Sequence, residues 1–89
     1  MKSTFNETLK AAIRETINGI KSEGLKFTGI YINEEHDWTE IALMYEIDGV
    51  ENGDLWEVRD NHLEIVEYGA FDTSSISEWG GYEYIGEEI

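Results

Sequence analysis

The chain contains no cysteine and no proline. Without thiols it forms no disulfide and no thiolate metal centre. Such a chain suits a reducing compartment, so a cytoplasmic location is expected. No linker-like stretch and no internal repeat divides its 89 residues, which are expected to form one domain. Long apolar runs are missing too. The longest, Ile41–Tyr45, falls far short of the ~20 residues that a membrane-spanning helix needs. The opening MKSTFNETLK holds no apolar core of the kind a secretory signal carries, so neither secretion nor membrane insertion is expected.

Positive charge is scarce, and unevenly so. Residues 1–28 hold five cations (Lys2, Lys10, Arg14, Lys21, Lys26) and three acids (Glu7, Glu15, Glu23), whereas residues 29–89 hold only Arg59 against seventeen acids. The net charge is −14. The second part repels nucleic acid and anionic membranes, so direct binding to either is not expected. A basic protein would be drawn to it, fastest at low salt. The chain is nevertheless not an acidic tail. It is 40% hydrophobic and 12% aromatic, enough apolar matter to offset the entropy of ordering the chain.

The apolar residues change period once. Phe5, Leu9, Ala12, Ile13, Thr16, Ile17 and Ile20 follow helical spacing, which predicts an amphipathic helix over 4–23, with Thr4 as N-cap, Glu7 as its capping-box partner and Gly24 as terminator. Beyond Gly24 the alternation becomes two-residue. It predicts strands over 25–33, 38–48, 54–59 and 62–68, and a short one over 82–85 after a loop at Asp72–Ser77. Asn52–Gly53 and Asp60–Asn61 are read as the tight turns. Short turns between successive strands imply an antiparallel meander of four or five strands. The helix is expected to cover one face of it, giving a two-layer α+β domain. In the second strand Thr39, Ile41, Leu43, Tyr45 and Ile47 take one face, and Trp38, Glu40, Ala42, Met44, Glu46 and Asp48 the other.

Motifs for chemistry are weak. Asp48, Asn52 and Asp54 sit at positions 1, 5 and 7 of a calcium loop, but Arg59 stands where the bidentate glutamate belongs. Glu34, Glu35, His36, Asp37 and Glu40 bring one histidine among carboxylates in a polar turn, without a zinc-binding spacing. Ser74, Ser75 and Ser77 have no nucleophile signature around them. The stretch GGYEYIG lacks the lysine of a phosphate loop. No metal, no cofactor and no catalytic activity is expected.

The acids themselves are the outstanding feature. Acids at alternate positions on three neighbouring strands would carry roughly one charge per 2.3 Å of strand axis, against about one per 1.7 Å in duplex DNA. Glu40, Glu46, Asp48, Glu57, Glu64 and Glu67 are the candidates for a shared face, with Glu51 and Asp54 at a hairpin tip. Trp38, on the acidic face of its strand, and Trp79, Tyr82 and Tyr84 in the tail are candidate apolar anchors, while the other aromatics are expected in the core.

In size, charge and lack of chemistry the chain resembles phage-encoded antirestriction and anti-CRISPR proteins, some of which act as DNA mimics. The resemblance is compositional and carries over no residue. It implies an inhibitor working in the host cytosol by protein–protein interaction with a basic partner, a nuclease or CRISPR effector. Immunity proteins that neutralise bacterial toxins are a second class of the same composition. A third reading is an acidic oligomerising module, in which the helix cations Lys10, Arg14 and Lys21 dock on a neighbour's sheet.

Overall fold

The fold is a computed structural model, described for residues 5–35, 37–71 and 76–89. Helix α1 spans Glu7–Ser22. Its N-cap is Asn6, whose side-chain oxygen accepts the Leu9 N–H at 2.8 Å and so satisfies one of the free donors of the first turn. The cap therefore lies inside the expected helix start; Thr4 falls outside the described residues. At the other end Gly24 takes the left-handed conformation (φ 84°), and its N–H returns to the Lys21 carbonyl. Leu9, Ile13, Ile17 and Ile20 form the buried stripe, extended by Phe5.

Five antiparallel strands follow: β1 (Lys26–Asn33), β2 (Glu40–Ile47), β3 (Val50–Arg59), β4 (His62–Phe71) and β5 (Glu83–Gly86). Their order is β4-β3-β2-β1-β5, so the first four make a meander and the last crosses to the far edge beside β1. The helix lies on one face, giving the two-layer α+β architecture. No helix among the described residues is long and apolar enough to cross a membrane.

One turn is not where the Asn-Gly pair placed it. The β2–β3 hairpin turns at Asp48–Gly49, both with positive φ, and closes on the pair Ile47↔Val50. Asn52 and Gly53 lie inside β3, opposite Tyr45 and Met44. Asp-Gly suits this turn as well as Asn-Gly does. Gly53 serves the strand instead, where a Cβ would overlap the Met44 sulfur. The Asp60–Asn61 turn stands as read, with φ of 50° and 66°.

Register shifts, two of them decisive here, set the phase of the sheet. In β1, Phe27 pairs with Tyr45 and Gly29 with Met44, leaving Thr28 as the extra residue. This places Phe27, Ile30 and Ile32 together under the helix. In β4, Ile65 pairs with Trp56 and Glu67 with Leu55, leaving Val66 extra. Glu64 and Glu67, three apart in sequence, thereby share a face.

The core has two parts. Under the helix, Ile41, Leu43 and Tyr45 of β2 meet Leu9, Ile13 and Ile17. On the opposite face Ala42, Met44, Leu55, Phe71 and Ile76 form a second cluster, with Tyr82 packed against it. That face was expected to be polar. Instead Ala42 and Met44 are buried, because the chain after β4 returns as a 3-10 turn (Ile76–Trp79) and covers them. The loop expected at Asp72–Ser77 is thus partly this turn, and residues 72–75 lie outside the described part. Ile47, expected on the helix-covered face, is exposed at the hairpin tip.

Candidate partner-binding surface

The acids are distributed by strand register. Glu40 of β2 pairs with Glu57 of β3, which pairs with Glu64 of β4. These three stand in one row across neighbouring strands about 4.8 Å apart, on the face away from the helix. At the other end of the same face Glu46 pairs with Glu51, beside Lys26 of β1, whose Nζ lies 3.9 Å from Glu46 Oε1. Glu67, opposite Leu55, adds a further carboxylate on the β4 side. Between these rows Ala42, Met44, Gly53 and Leu55 are buried beneath the returning chain, so the two sets of acids are set apart by core. Charge at every alternate position, as in the DNA-density reckoning, is not reached.

Besides Lys26, cations answer this charge at the Glu57–Glu64 corner. Arg59 binds Glu57 through Nε and Nη2, and its Nε lies 3.9 Å from Glu64 Oε1. His62 Nε2 is 2.9 Å from Glu64 Oε2. This hydrogen bond to the carboxylate pulls the histidine pKa above its ordinary value.

Glu40 differs from the other acids of its row. Its Oε1 accepts the Tyr82 hydroxyl at 2.6 Å and its Oε2 the Trp38 indole N–H at 2.9 Å. It fastens the returning chain to β2, and burial together with this bond raises the Tyr82 pKa. Asp54, expected at an exposed hairpin tip, is buried on the helix face of β3, where it accepts hydrogen bonds from Tyr45 and Gly69. It is not part of the surface. Asp48 is exposed in the turn, away from the rows.

The aromatic anchors divide likewise. Trp38, Trp79 and Tyr84 are each about half exposed, at 46%, 49% and 51%. Tyr82 is half-buried, its ring edge-on to Phe71. Tyr84 packs on Tyr31 across β1 and β5, with ring centroids 5.1 Å apart. Trp79 and Tyr82 line an open cleft of about 640 Å³ together with Glu35, Glu40 and Asn33. Carboxylates beside aromatic faces suit a lysine or arginine side chain.

Tyr68 was missed by the sequence reading. It is 70% exposed on the helix face of β4, edge-on to Trp56. No local signal marks it, since its exposure follows from β4 lying at the sheet edge. The helix cations are partly engaged within the chain: Arg14 donates to the Ile89 carbonyl at 2.8 Å, and Lys21 sits 5.9 Å from the Phe27 ring centroid. His36 of the acidic turn lies outside the described residues.

No protein-family model, no curated protein and no solved structure matches this chain.

Proposed function

We propose that the protein is an inhibitor that occupies the cationic, nucleic-acid-binding surface of another protein, such as a nuclease or CRISPR effector. It offers carboxylates where that surface takes phosphates. The observation that carries this reading is the pairing of like charge across strands, Glu40 with Glu57 with Glu64, and Glu46 with Glu51. Like charges directly opposite destabilise a sheet. A surface arranged for stability and solubility alone mixes both signs, yet among the described residues this one sets Arg59 and Lys26 against five of its glutamates. A basic partner turns that cost into affinity, through charge-assisted bonds to lysine and arginine.

The exposed aromatics refine the reading. Exposed Trp38, Trp79 and Tyr84 beside the acidic rim resemble a protein interface, with aromatic anchors and a charged border, more than a continuous phosphate ladder. Mimicry here means competition for the same cations rather than a copy of duplex geometry.

The test is a variant in which Glu46, Glu51, Glu64 and Glu67 all become glutamine. Glu40 is left intact because it holds Tyr82 and Trp38. Host proteins captured at low salt on the parent chain are eluted by a salt gradient, then assayed for nucleic-acid binding with and without the parent and variant chains. The expected result is a steep salt dependence, loss of the partner's nucleic-acid binding with the parent chain, and little effect of the variant. A partner that binds both chains equally, or keeps its nucleic acid in the presence of the parent, overturns the proposal. Should the captured protein be a toxin, the same surface serves an immunity function.

A further inference from the structure

Strand β4 is ten residues long and lies at the edge of the sheet. Edge strands of proteins that stay alone are usually short, or carry lysine, proline or a bulge; here the bulge at Val66 leaves the four residues before it regular. The sequence HLEIVEYGAF has neither lysine nor proline, and Ile65, Val66 and Tyr68 are exposed on it. The other edge, β5, has four residues.

The direction of the free backbone groups follows from the turn. A two-residue turn with both residues left-handed closes on a hydrogen-bonded pair, here Arg59↔His62. Antiparallel pairs alternate, so Glu64 also bonds toward β3, while the N–H and carbonyl groups of Leu63 and Ile65 point out of the edge. Side chains alternate in the other dimension. Leu63 and Ile65 share the helix face with Tyr68, and Glu64 and Glu67 share the opposite one because Val66 is a bulge. The edge is thus apolar above and acidic below, and no other described strand pairs with it from His62 to the bulge.

We infer that β4 accepts an extended segment of the basic partner as a sixth strand, one in which lysine or arginine alternates with apolar residues. The cations would face Glu64 and Glu67, and the apolar residues would continue the Leu63–Ile65–Tyr68 surface. Main-chain bonds supply affinity in such strand addition, and alternate side chains supply selectivity. The inference rests on the basic-partner reading and adds where and how that partner docks. Charge complementarity chooses the occupant: a second copy of this chain brings its own net charge of −14 to the same edge.

The experiment uses a blocked ten-residue peptide of alternating lysine and valine. Its control has the same sequence with N-methyl groups on the valine amides, the ones that face β4 when valine lies opposite Leu63 and Ile65; this keeps charge and side chains but removes strand pairing. The parent peptide is expected to bind roughly tenfold more tightly than the methylated one, the equivalent of a bond or two. It should slow hydrogen exchange at the Leu63 and Ile65 amides and leave that of Glu64 nearly unchanged. In Ile65→Pro, which removes an outward N–H that β3 does not use, the two peptides should bind alike. The exchange measurement on the unaltered chain decides the matter should that variant misfold. Equal binding of the two peptides, or no slowing at Leu63 and Ile65, overturns strand addition. If that equal binding is abolished in the Glu46, Glu51, Glu64 and Glu67 glutamine variant, the charge reading survives without it. A free protein that sediments as a dimer with those two amides already protected assigns the edge to a second copy and overturns the inference.

Discussion

The Tyr45 hydroxyl donates a 2.6 Å hydrogen bond to Oδ1 of Asp54, and the same oxygen accepts the Gly69 N–H at 2.9 Å. One buried carboxylate therefore ties β2, β3 and the bulged part of β4 together beneath the helix. Asp54 belongs by composition to the acidic stretch and by position to the core. Asp54→Ala should cost about 2–3 kcal/mol in urea unfolding, because two buried donors lose a charged acceptor. Tyr45→Phe should cost about 1–2 kcal/mol. Neither change should alter the salt dependence of partner binding.

Stability should decline in alkali. Burial, together with the bond to Asp54, raises the Tyr45 pKa, and burial with the bond to Glu40 raises that of Tyr82. Both phenols keep their protons in the folded chain at a pH where the unfolded chain, with tyrosine near 10, has lost them. Their contribution is full below about pH 10 and falls as the pH rises above it. Denaturant midpoints at pH 9 and pH 11 should show the drop, and it should be shallower in Tyr45→Phe. An equal slope in the two chains would exclude Tyr45 as the cause.

Gly53 is a packing glycine and Gly49 a turn glycine. Gly53→Ala should cost about 1–3 kcal/mol through overlap with the Met44 sulfur. Gly49→Ala should cost about 1–2 kcal/mol because its φ is 81°. In a Met44→Ala background the Gly53 substitution should lose most of its effect, while the Gly49 substitution keeps its own. A double-mutant cycle on unfolding free energies measures this.

Acids of one face should separate by role. Glu40→Ala removes the acceptor of Tyr82 and Trp38 and should cost about 1–3 kcal/mol, with a shift in tryptophan fluorescence. Glu67→Gln should lie within about 0.5 kcal/mol of the parent, as an exposed site does. Its effect should appear in the rate of partner association at low salt.

Much of the fold was legible because its signals are local. The helix stripe Leu9–Ile13–Ile17–Ile20, the stop at Gly24, and the strand alternation in Glu40–Ile47 each need only residues a turn or a pleat apart. The shared face of Glu40, Glu57 and Glu64 also followed from alternation. Pairing Glu67 with them did not, since alternation alone sets it on the opposite face from Glu64.

The remainder depended on distant partners. Whether Asp48–Gly49 or Asn52–Gly53 turns the chain shows only in the strand pairing, which sets Gly53 against Met44. That Ala42 and Met44 are core was settled by a segment some thirty positions downstream returning over them. A bulge at Val66 exists only relative to β3, and the edge position of β4 only relative to the strand order. Composition and period thus determined the helix, the strands and the excess of negative charge, because neighbouring residues alone encode them. Tertiary structure decided which carboxylates face solvent, which bind inside the chain, and which strand lies open, because these are relations between segments that meet only when the sheet closes.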